Sequence, residues 1–424
     1  MEARSSSAEA NVTDRLWDRL TEVAKTYATP IYLYFPYRAR LAYESLSRAL
    51  VQWGSGRIAF SVKTNPLFAL LNDLRGWGAY AEVVSAWEFT LARAAGFAPG
   101  SIVFNGPLKT DEELRLIIGS PPLAVNLDSL DELLRLEAAA GASLTSLGVG
   151  VRLCPPHRGT PASRFGMEVA TGEAAEALGR IAAHPKMFLA SVHFHLGTQI
   201  PDIATYQAML RVAKELWDRH RLGPKVWLDI GGGFCYDHAR RFEEQLFNPR
   251  LFLQALASEW NEPRPALLME PGRFIAAPAM AIASRVIACK SRANEPTIVV
   301  LDSGTNHNVM GAFYEHLWEF QANGSEAAEY RFCGPLCMED DVLSAARFGA
   351  RPHTGDLVLM WNSGAYSFAL SRCFIQPRPP IVQIDEGGTS VLLQAREDMA
   401  GAYGLSEIKA PAFAMSGGGA GNST

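Results

Sequence analysis

The sequence has no large excess of charge of either sign and no long apolar segment. Its 39 lysines and arginines stand against 44 aspartates and glutamates, so the formal net charge at pH 7 is only −5. So mild a balance argues against nucleic acid or an anionic membrane surface as a partner. No apolar run reaches the roughly 18 residues of a transmembrane helix, and MEARSSSAEANVTDRLWDRL at the start contains no apolar core of a secretory signal. We therefore expect a cytoplasmic protein.

Cysteine is also scarce, and none of the six cysteines forms a C-x-x-C pair. In a chain of 424 residues this indicates reduced thiols rather than a disulfide framework. The length, with 48% apolar and 20% charged residues, favours a globular protein of two domains with a large core.

Strand-like apolar runs alternate with helix-like segments through the first two thirds of the chain. The helix-like segments repeat apolar residues at i, i+3 and i+4, and several end at glycine. Eight such units in about 220 residues are typical of a (β/α)8 barrel. The eight predicted strands cover residues 57–63, 79–85, 101–107, 123–129, 147–153, 189–195, 226–233 and 266–272.

After about residue 280 the pattern changes to strands joined by turns, which predicts an appended β-domain. The early run TPIYLYF precedes the first barrel strand and could join that domain. The small, polar residues near the end of the chain are typical of disorder. The predicted domains are residues 1–36 (an N-terminal segment joining the β-domain), 37–278 (the barrel), 279–410 (the β-domain) and 411–424 (a disordered tail).

Chemically useful residues fall at the carboxyl ends of the predicted barrel strands, where barrel enzymes place their active sites. They are Lys63, Arg152, His195, the glycines at 231–233 and Glu270. The run LDIGGGF could gather backbone N–H groups around an anion, although a plain tight turn explains it equally well. Glu270 needs a cationic partner and Arg273 can clamp phosphate or carboxylate, unless the two form an internal salt bridge.

The segment SVHFHLGTQ carries two histidines with i, i+2 spacing, His193 and His195, which would lie on one face of a strand. No third histidine or aspartate accompanies them at ligand spacing, so we expect no metal. An imidazole stacked on a flat ring is the better functional interpretation, and a structural histidine is the alternative. An anion-binding loop, a carboxylate, an arginine and a strand-end lysine together describe a site for pyridoxal phosphate, with the lysine as its Schiff-base partner.

With these residues in this order, the chain resembles the fold-type III pyridoxal-phosphate decarboxylases, the group of diaminopimelate and ornithine decarboxylases. The resemblance covers roughly residues 25 to 400. It implies a barrel of the alanine racemase type with a C-terminal β-domain, an amino-acid decarboxylase activity, and a head-to-tail homodimer with shared active sites. The motifs that carry it appear in the family's order: AFSVKTNP, EVVSAWE, SRFG, HFHLGTQ, DIGGGF, EPGRF, CGPLC and GAY.

The resemblance also implies roles for individual residues. Lys63 would form the Schiff base, His195 would stack on the cofactor, and Glu270 would bond its pyridine nitrogen. Cys337 matches a cysteine that the partner subunit lends as proton donor; a buried structural thiol is the alternative, and Cys333 is expected in the core. Residues near the phosphate, the substrate carboxylate or the ring would be Gly231, Gly232, Gly233, Arg273, Thr198, Tyr366, Arg152, Glu82 and Glu88.

Two departures from the family pattern concern the substrate. Met338 follows the motif cysteine where the family usually has an acid, and Met310 stands where diaminopimelate enzymes carry an arginine, while Tyr314 fits the pattern. Each lost charged contact would cost about 1.5–3 kcal/mol, which disfavours free diaminopimelate and ornithine. Compensation by Glu339 or Asp340 stays open.

Similar enzymes in antibiotic and siderophore pathways act on amino-acid units held on a carrier protein or in a larger conjugate, which apolar distal contacts would suit. Two other readings compete with a decarboxylase. A racemase on the same fold would need a second base from the partner, and the CGPLC context argues against it. A binding regulator would be expected to lose Lys63, which is present.

Overall fold

The computed structural model describes residues 16–140, 146–155, 163–321 and 327–403. The predicted tail at 411–424 lies outside these residues. The strands are β1 (Ile31–Tyr34), β2 (Gly56–Ser61), β3 (Tyr80–Val83), β4 (Ile102–Phe104), β5 (Ala124–Leu127), β6 (Leu147–Arg152), β7 (Met187–His193), β8 (Trp227–Asp229), β9 (Leu267–Met269), β10 (Met280–Arg292), β11 (Glu295–Leu301), β12 (Trp318–Phe320), β13 (Ala327–Cys333), β14 (Arg347–Ala350), β15 (Leu357–Met360), β16 (Ile381–Ile384) and β17 (Ser390–Gln394).

The helices within the described residues begin with α1 (residues 16–27). The others are α2 (Pro36–Ala49), α3 (Phe68–Gly76), α4 (Ala86–Ala94), α5 (Asp111–Gly119), α6 (Leu130–Ala140), α7 (Glu173–Ala183), α8 (Ile203–His220), α9 (Pro249–Ala257), α10 (Arg273–Ala279), α11 (Ser367–Leu370) and α12 (Met399–Tyr403). In the part of the chain that the structure describes, every helix is too short or too polar to cross a lipid bilayer.

Strands β2 to β9 form a closed parallel barrel, in which β9 pairs with β2 and completes the ring. The predicted eight-stranded barrel is therefore confirmed. Strands such as β4 and β6 are buried along their whole length, which is why the sequence reads there as nearly continuous apolar runs. Helices α3 to α9 lie between consecutive strands in the chain.

The barrel strands end earlier than predicted. β2 ends at Ser61, and Lys63 lies in a 3-10 turn over Val62–Thr64. β7 likewise ends at His193, two residues before His195. The apolar sequence pattern extends beyond the last hydrogen bond between neighbouring strands. It therefore does not show where each strand ends and the backbone turns towards the pocket.

The remaining strands form a second sheet with the order β14-β13-β11-β10-β1-β16-β17, in which β15 also pairs with β10 and β12. β1 lies inside this sheet: it is antiparallel to β10, with Ile31 opposite Ala283, and parallel to β16. The long strand β10 pairs with β1 and β15 near its start and with β11 near its end. We call this sheet, with its connecting segments, the β-domain.

Barrel and β-domain meet through a buried seam. Helix α10 connects the last barrel strand to β10 along the chain, and all seven of its residues are buried. Asn65 Nδ2 donates to the carbonyl of Gly364 at 2.8 Å, and the N–H of Tyr366 donates to the carbonyl of Thr64 at 2.9 Å. A Cβ on Gly364 would lie 1.8 Å from the carbonyl oxygen of Ala276, so only glycine permits this approach. The seam fixes β-domain residues beside the turn that carries Lys63.

The barrel interior provides a stability test at Gly150 in β6. A Cβ there would lie 1.8 Å from Asn126 Oδ1 and 2.2 Å from Ser191 Oγ, which are buried and hydrogen-bonded to each other. We expect Gly150→Ala to lower the free energy of unfolding by about 1–3 kcal/mol because the added methyl overpacks the interior. Thermal unfolding followed by circular dichroism measures it.

Gly179→Ala in α7 is the matched control, since nothing lies within 4 Å of its added Cβ. Helix propensity predicts a gain of about 0.5–1 kcal/mol there. Equal melting temperatures for Gly150→Ala and the unmodified protein would contradict the tight packing of the barrel interior.

Candidate active site

A pocket opens where the carboxyl ends of several barrel strands meet the β-domain. It gathers residues from the segments that follow β2, β7, β8 and β9, and Tyr366 comes from the β-domain. Seven of the residues singled out in the sequence line it: Lys63, His195, Thr198, Gly233, Glu270, Arg273 and Tyr366.

Lys63 enters the pocket from the turn after β2 and is held by an acidic neighbour. Its Nζ donates to Glu82 Oε2 at 2.6 Å, and Ser61 Oγ donates to the same oxygen at 2.6 Å. Glu82 is buried, whereas 41% of the Lys63 side chain remains exposed. Burial around the amine lowers the pKa of Lys63, but Glu82 and Glu270 outweigh it and hold this pKa above its ordinary value.

Glu88 supports the turn rather than the pocket itself. It lies in the first turn of α4, which Ser85 caps, and its Oε2 accepts from the N–H of Val84 at 2.7 Å. Burial, followed by the nearby charge of Glu82, raises the pKa of Glu88 to about 7.

Glu270 is the centre of a buried polar cluster inside the barrel. Asn105 Nδ2 donates to its Oε1 at 2.6 Å, and His193 Nε2 lies 3.5 Å from its Oε2. Burial raises the pKa of Glu270, but His193, Asp229 and Lys63 together bring it below its ordinary value. Burial and the charge of Glu270 raise the pKa of Asp229 well above its ordinary value. The two neighbouring buried carboxyl groups therefore shift in opposite directions, with the pKa of Asp229 raised and that of Glu270 lowered.

Sequence spacing gave no sign of the acidic side chains that surround His193. Ligand-type atoms of His193, Asp229 and Glu270 all lie within 4.8 Å of one another. Spacing along one strand could not reveal this cluster, because its members come from the ends of three neighbouring parallel strands. Asp229 accepts from the N–H of Gly231 at 3.0 Å and from Asn126 Nδ2 at 3.2 Å. Asn105 and Asn126 were also missed; their only signal is a polar residue within or directly after a buried strand.

The glycine run forms a turn that only glycine can build. Gly231 and Gly233 have φ values of +63° and +91°, and a Cβ on Gly232 would lie 2.3 Å from the carbonyl oxygen of Glu270. The N–H of Gly232 donates to His195 Nδ1 at 3.2 Å, which leaves the proton of a neutral ring on Nε2. Burial lowers the pKa of His195 to about 4, so the ring facing the pocket is neutral at pH 7.

Arg273 begins α10, and its guanidinium lies 4.6 Å from the ring centre of Tyr314 and 5.3 Å from that of Tyr366. Nη1 bonds to His238 Nε2 at 2.9 Å, while Nε is buried without a hydrogen-bond partner. Within the described ranges no ion pair joins Arg273 to Glu270 or to another carboxylate. The alternative of an internal Glu270–Arg273 salt bridge is therefore wrong.

Other singled-out residues lie outside the pocket of their own chain. Arg152 pairs with Asp128 at 2.7 Å and stacks on Phe165. Met310 is half-buried in a 3-10 turn. Cys337 and Met338 line a surface depression beside β10, β11 and β13. Cys337 is exposed, so the alternative of a buried structural thiol is wrong for the single chain. Cys333, which was expected in the core, is only half-buried.

A parallel barrel with a strand-end lysine, a charged carboxylate in its interior and a glycine turn defines the class of barrel enzymes that carry pyridoxal phosphate. A family model described as "Pyridoxal-dependent decarboxylase, pyridoxal binding domain" matches residues 41–277. The chain belongs to this family of pyridoxal-dependent decarboxylases, and it is a PLP-dependent carboxy-lyase.

Relatives and solved structures agree with this assignment. The chain is 28% identical over 401 residues to a diaminopimelate decarboxylase of Zymomonas mobilis, covering 90% of this chain and 93% of the relative. It is 29% identical over 401 residues to one of Actinosynnema pretiosum, covering 89% and 90%. The crystal structure of diaminopimelate decarboxylase from M. jannaschii in complex with L-lysine superposes with a TM-score of 0.83 at 24% identity, covering 92% and 94%.

The pocket residues fit pyridoxal phosphate. Among the residues that line the pocket, Arg273 Nε and Thr64 Oγ1 are buried without a hydrogen-bond partner. Unpaired buried polar atoms are rare in folded proteins and commonly mark a ligand site. Gly233 also lines this pocket, in a turn where a Cβ on any of its three glycines would collide with neighbouring backbone. The donor set suits an anionic, flat, hydrogen-bonding cofactor.

The raised pKa of Glu88 predicts how the stability of the folded protein depends on pH. Its pKa is about 7 in the folded protein against an ordinary 4.5, so between these pH values the folded state holds a proton that the unfolded state has lost. Glu88 therefore reduces stability as pH rises through this window, by up to about 3 kcal/mol. Glu88→Gln keeps an acceptor for Val84 but cannot ionise.

Melting temperatures of both proteins from about pH 5 to about pH 7.5 test this linkage. We expect the unmodified protein to lose stability relative to Glu88→Gln as pH rises. Parallel curves would mean that Glu88 keeps its ordinary pKa in the folded state.

Proposed function

We propose that the chain decarboxylates an amino acid whose distal end is neutral, apolar or joined to a larger group such as a carrier protein, as in siderophore or antibiotic pathways. The carrying observation is Met338, an exposed side chain one residue after the motif cysteine, at a position where the family usually has an acid. Bound pyridoxal phosphate supplies an electron-accepting ring that stabilises charge on the α-carbon.

Several residues of the chain would each have a separate role around that ring. The Lys63 amine, which Glu82 orients, would hold the cofactor covalently. Glu270 would accept the hydrogen bond of a protonated pyridine nitrogen, and the lowered pKa of its carboxyl group favours the charged form that this bond requires. His195 presents a neutral ring to the cofactor face. Arg273 would supply a cation for the phosphate or the substrate carboxylate, and Thr198 and Gly233 line the same pocket.

The proton donor comes from a second subunit in this proposal. Cys337 is exposed and lies outside the pocket of its own chain. Exposed apolar side chains at the barrel mouth, Phe68 and Trp87, and on the β-domain, Met338 and Phe374, give both surfaces the apolar character of an interface. A head-to-tail homodimer would cover both and deliver Cys337 to the partner's pocket.

Subunit mixing tests the shared site. Lys63→Ala should be inactive, and Cys337→Ala should release product slowly or with misplaced protonation. A mixed dimer contains one site with both groups and one with neither, so random exchange should restore about a quarter of normal activity. Activity that never rises above that of the parents, with exchange verified by differently tagged chains, would refute the shared site.

Diaminopimelate is the second candidate substrate because relatives with that activity match about 90% of this chain. The two methionines argue against it. A charged distal group that loses two bonds of about 1.5–3 kcal/mol each is disfavoured by a factor on the order of 10²–10⁴. Glu339 and Asp340 are exposed neighbours of Met338 and offer the only nearby compensation in that segment of the described chain.

Steady-state kinetics decide between the substrates. We expect kcat/KM for free diaminopimelate, ornithine and lysine to fall well below about 10⁴ M⁻¹s⁻¹, an ordinary value for a true substrate. Amino acids with an apolar or conjugated distal end should be preferred, and their amine products should confirm loss of CO2 rather than inversion.

Variants make the substrate test specific. The pair Met338→Glu with Met310→Arg should move preference towards diaminopimelate, whereas the control pair Met338→Leu with Met310→Leu should not. High activity of the unmodified enzyme on free diaminopimelate would show that neither methionine governs the substrate.

A further inference from the structure

His238 is a buried histidine that lies between the barrel and the β-domain. It follows the glycine turn after β8 and is only 2% exposed. Asn362, just after β15, donates from Nδ2 to the carbonyls of His238 at 2.9 Å and Arg240 at 2.8 Å. Asn362 Oδ1 accepts from Tyr236 at 2.9 Å. The β-domain therefore fixes the backbone of the segment that carries His238.

The hydrogen bonds of the imidazole determine its protonation. Nδ1 lies 2.8 Å from the carbonyl oxygen of Asn362, which can only accept, so Nδ1 carries the proton. Nε2 lies 2.9 Å from Arg273 Nη1, which can only donate, so Nε2 is the acceptor. Burial, with His316 and Arg273 nearby, lowers the pKa of His238 well below its ordinary value. The ring is neutral with a single tautomer.

The ring is also fixed in orientation by aromatic contacts. It stacks on Tyr314, with centres 5.1 Å apart and planes 16° apart, and it meets His316 edge-on at 4.9 Å. Tyr314 in turn lies under the guanidinium of Arg273. Two contacts of Arg273, one polar and one aromatic, thus depend on the same stack.

A neutral acceptor has a particular effect on Arg273. A carboxylate at this place would orient the guanidinium but would also neutralise it. His238 orients it through Nη1 and leaves its charge unpaired, and Nε is buried without a partner beside the pocket. A buried unpaired guanidinium is costly unless an anion joins it.

We propose that His238 is a positioning residue that holds Arg273, through a neutral hydrogen bond, for an oxyanion in the pocket. The oxyanion is either the phosphate of the cofactor or the carboxylate of the substrate. This inference rests on the proposed function for the identity of the site, but its binding tests do not require turnover.

Three variants test separately the hydrogen bond of His238 to Asn362, its hydrogen bond to Arg273 and the neutrality of the acceptor. His238→Gln can place a neutral acceptor at the Nε2 position. His238→Asn can keep the donor to Asn362 but cannot reach Arg273. His238→Glu can place an acceptor at Arg273 that is charged. The control is His316→Asn. It alters the same aromatic stack, but the hydrogen bond of His316 Nδ1 goes to the carbonyl of Trp361 at 2.9 Å and not to Arg273.

Each variant is measured as the full chain in two binding experiments. The first is the Kd of pyridoxal phosphate, and of pyridoxal without its phosphate, on protein stripped of cofactor. The second is the binding of α-amino acids to the holoenzyme, followed by its absorbance, together with KM and kcat. We expect His238→Asn and His238→Glu to weaken oxyanion binding at least about tenfold. His238→Gln and His316→Asn should stay within about threefold.

The pattern of loss identifies the oxyanion. Weaker binding of pyridoxal phosphate but not of pyridoxal assigns the phosphate. Unchanged cofactor affinity with weaker amino-acid binding, and a higher KM at unchanged kcat, assigns the carboxylate. The proposal is overturned if His238→Asn binds both ligands as the unmodified protein does, or if His238→Gln and His238→Asn lose affinity equally at equal melting temperature.

The remaining outcomes are also decisive. Should His238→Asn fail to fold, the comparison of His238→Gln with His238→Glu remains, and equal affinities there overturn the role of the neutral acceptor. An unmodified protein that binds the cofactor but decarboxylates no amino acid would refute the proposed function alone, because the cofactor and amino-acid binding arms still report on His238.

Discussion

The burial of several carboxyl groups inside one parallel barrel is the constraint on which the site depends. Glu82, Asp229 and Glu270 all lie in the interior, and each would lose its charge there without compensation. Lys63 compensates Glu82, and the surroundings of the other two carboxyl groups raise the pKa of Asp229 and lower that of Glu270. The amides of Asn105 and Asn126 take up the remaining acceptors. The chemistry expected of Lys63 and Glu270 follows from this division of charge.

The sequence predicts the barrel well because burial on both strand faces produces apolar runs that are visible without a structure. It predicts Lys63, His195, Glu270 and Arg273 as pocket residues because strand ends in a barrel share one rim. It fails for contacts between strands: the cluster of His193 with Asp229 and Glu270 has no signature in the spacing of any single segment. His238 was missed for a similar reason, since its partners Arg273 and Asn362 are distant in sequence.

The part of the pocket around Arg273 is built jointly by the barrel and the β-domain. Arg273 begins the helix that connects them, while Tyr314 and Tyr366 arrive from the β-domain and enclose its guanidinium. Met310 and Met338, which we propose face the far end of the substrate, belong to the β-domain as well and lie outside the pocket of their own chain. The barrel thus carries Lys63 and Glu270, whereas the β-domain carries Cys337 and the methionines that we propose select the substrate.

The fully buried helix α10 has a consequence for recombination between relatives. The chain crosses the seam after β1 and again through α10, and the close approach of Gly364 to Ala276 leaves no space for a different side chain. A chimera cut at the end of the barrel would separate β1 from its sheet and set a foreign surface against α10. Barrel and β-domain of this chain therefore have to be exchanged together if the seam is to stay intact.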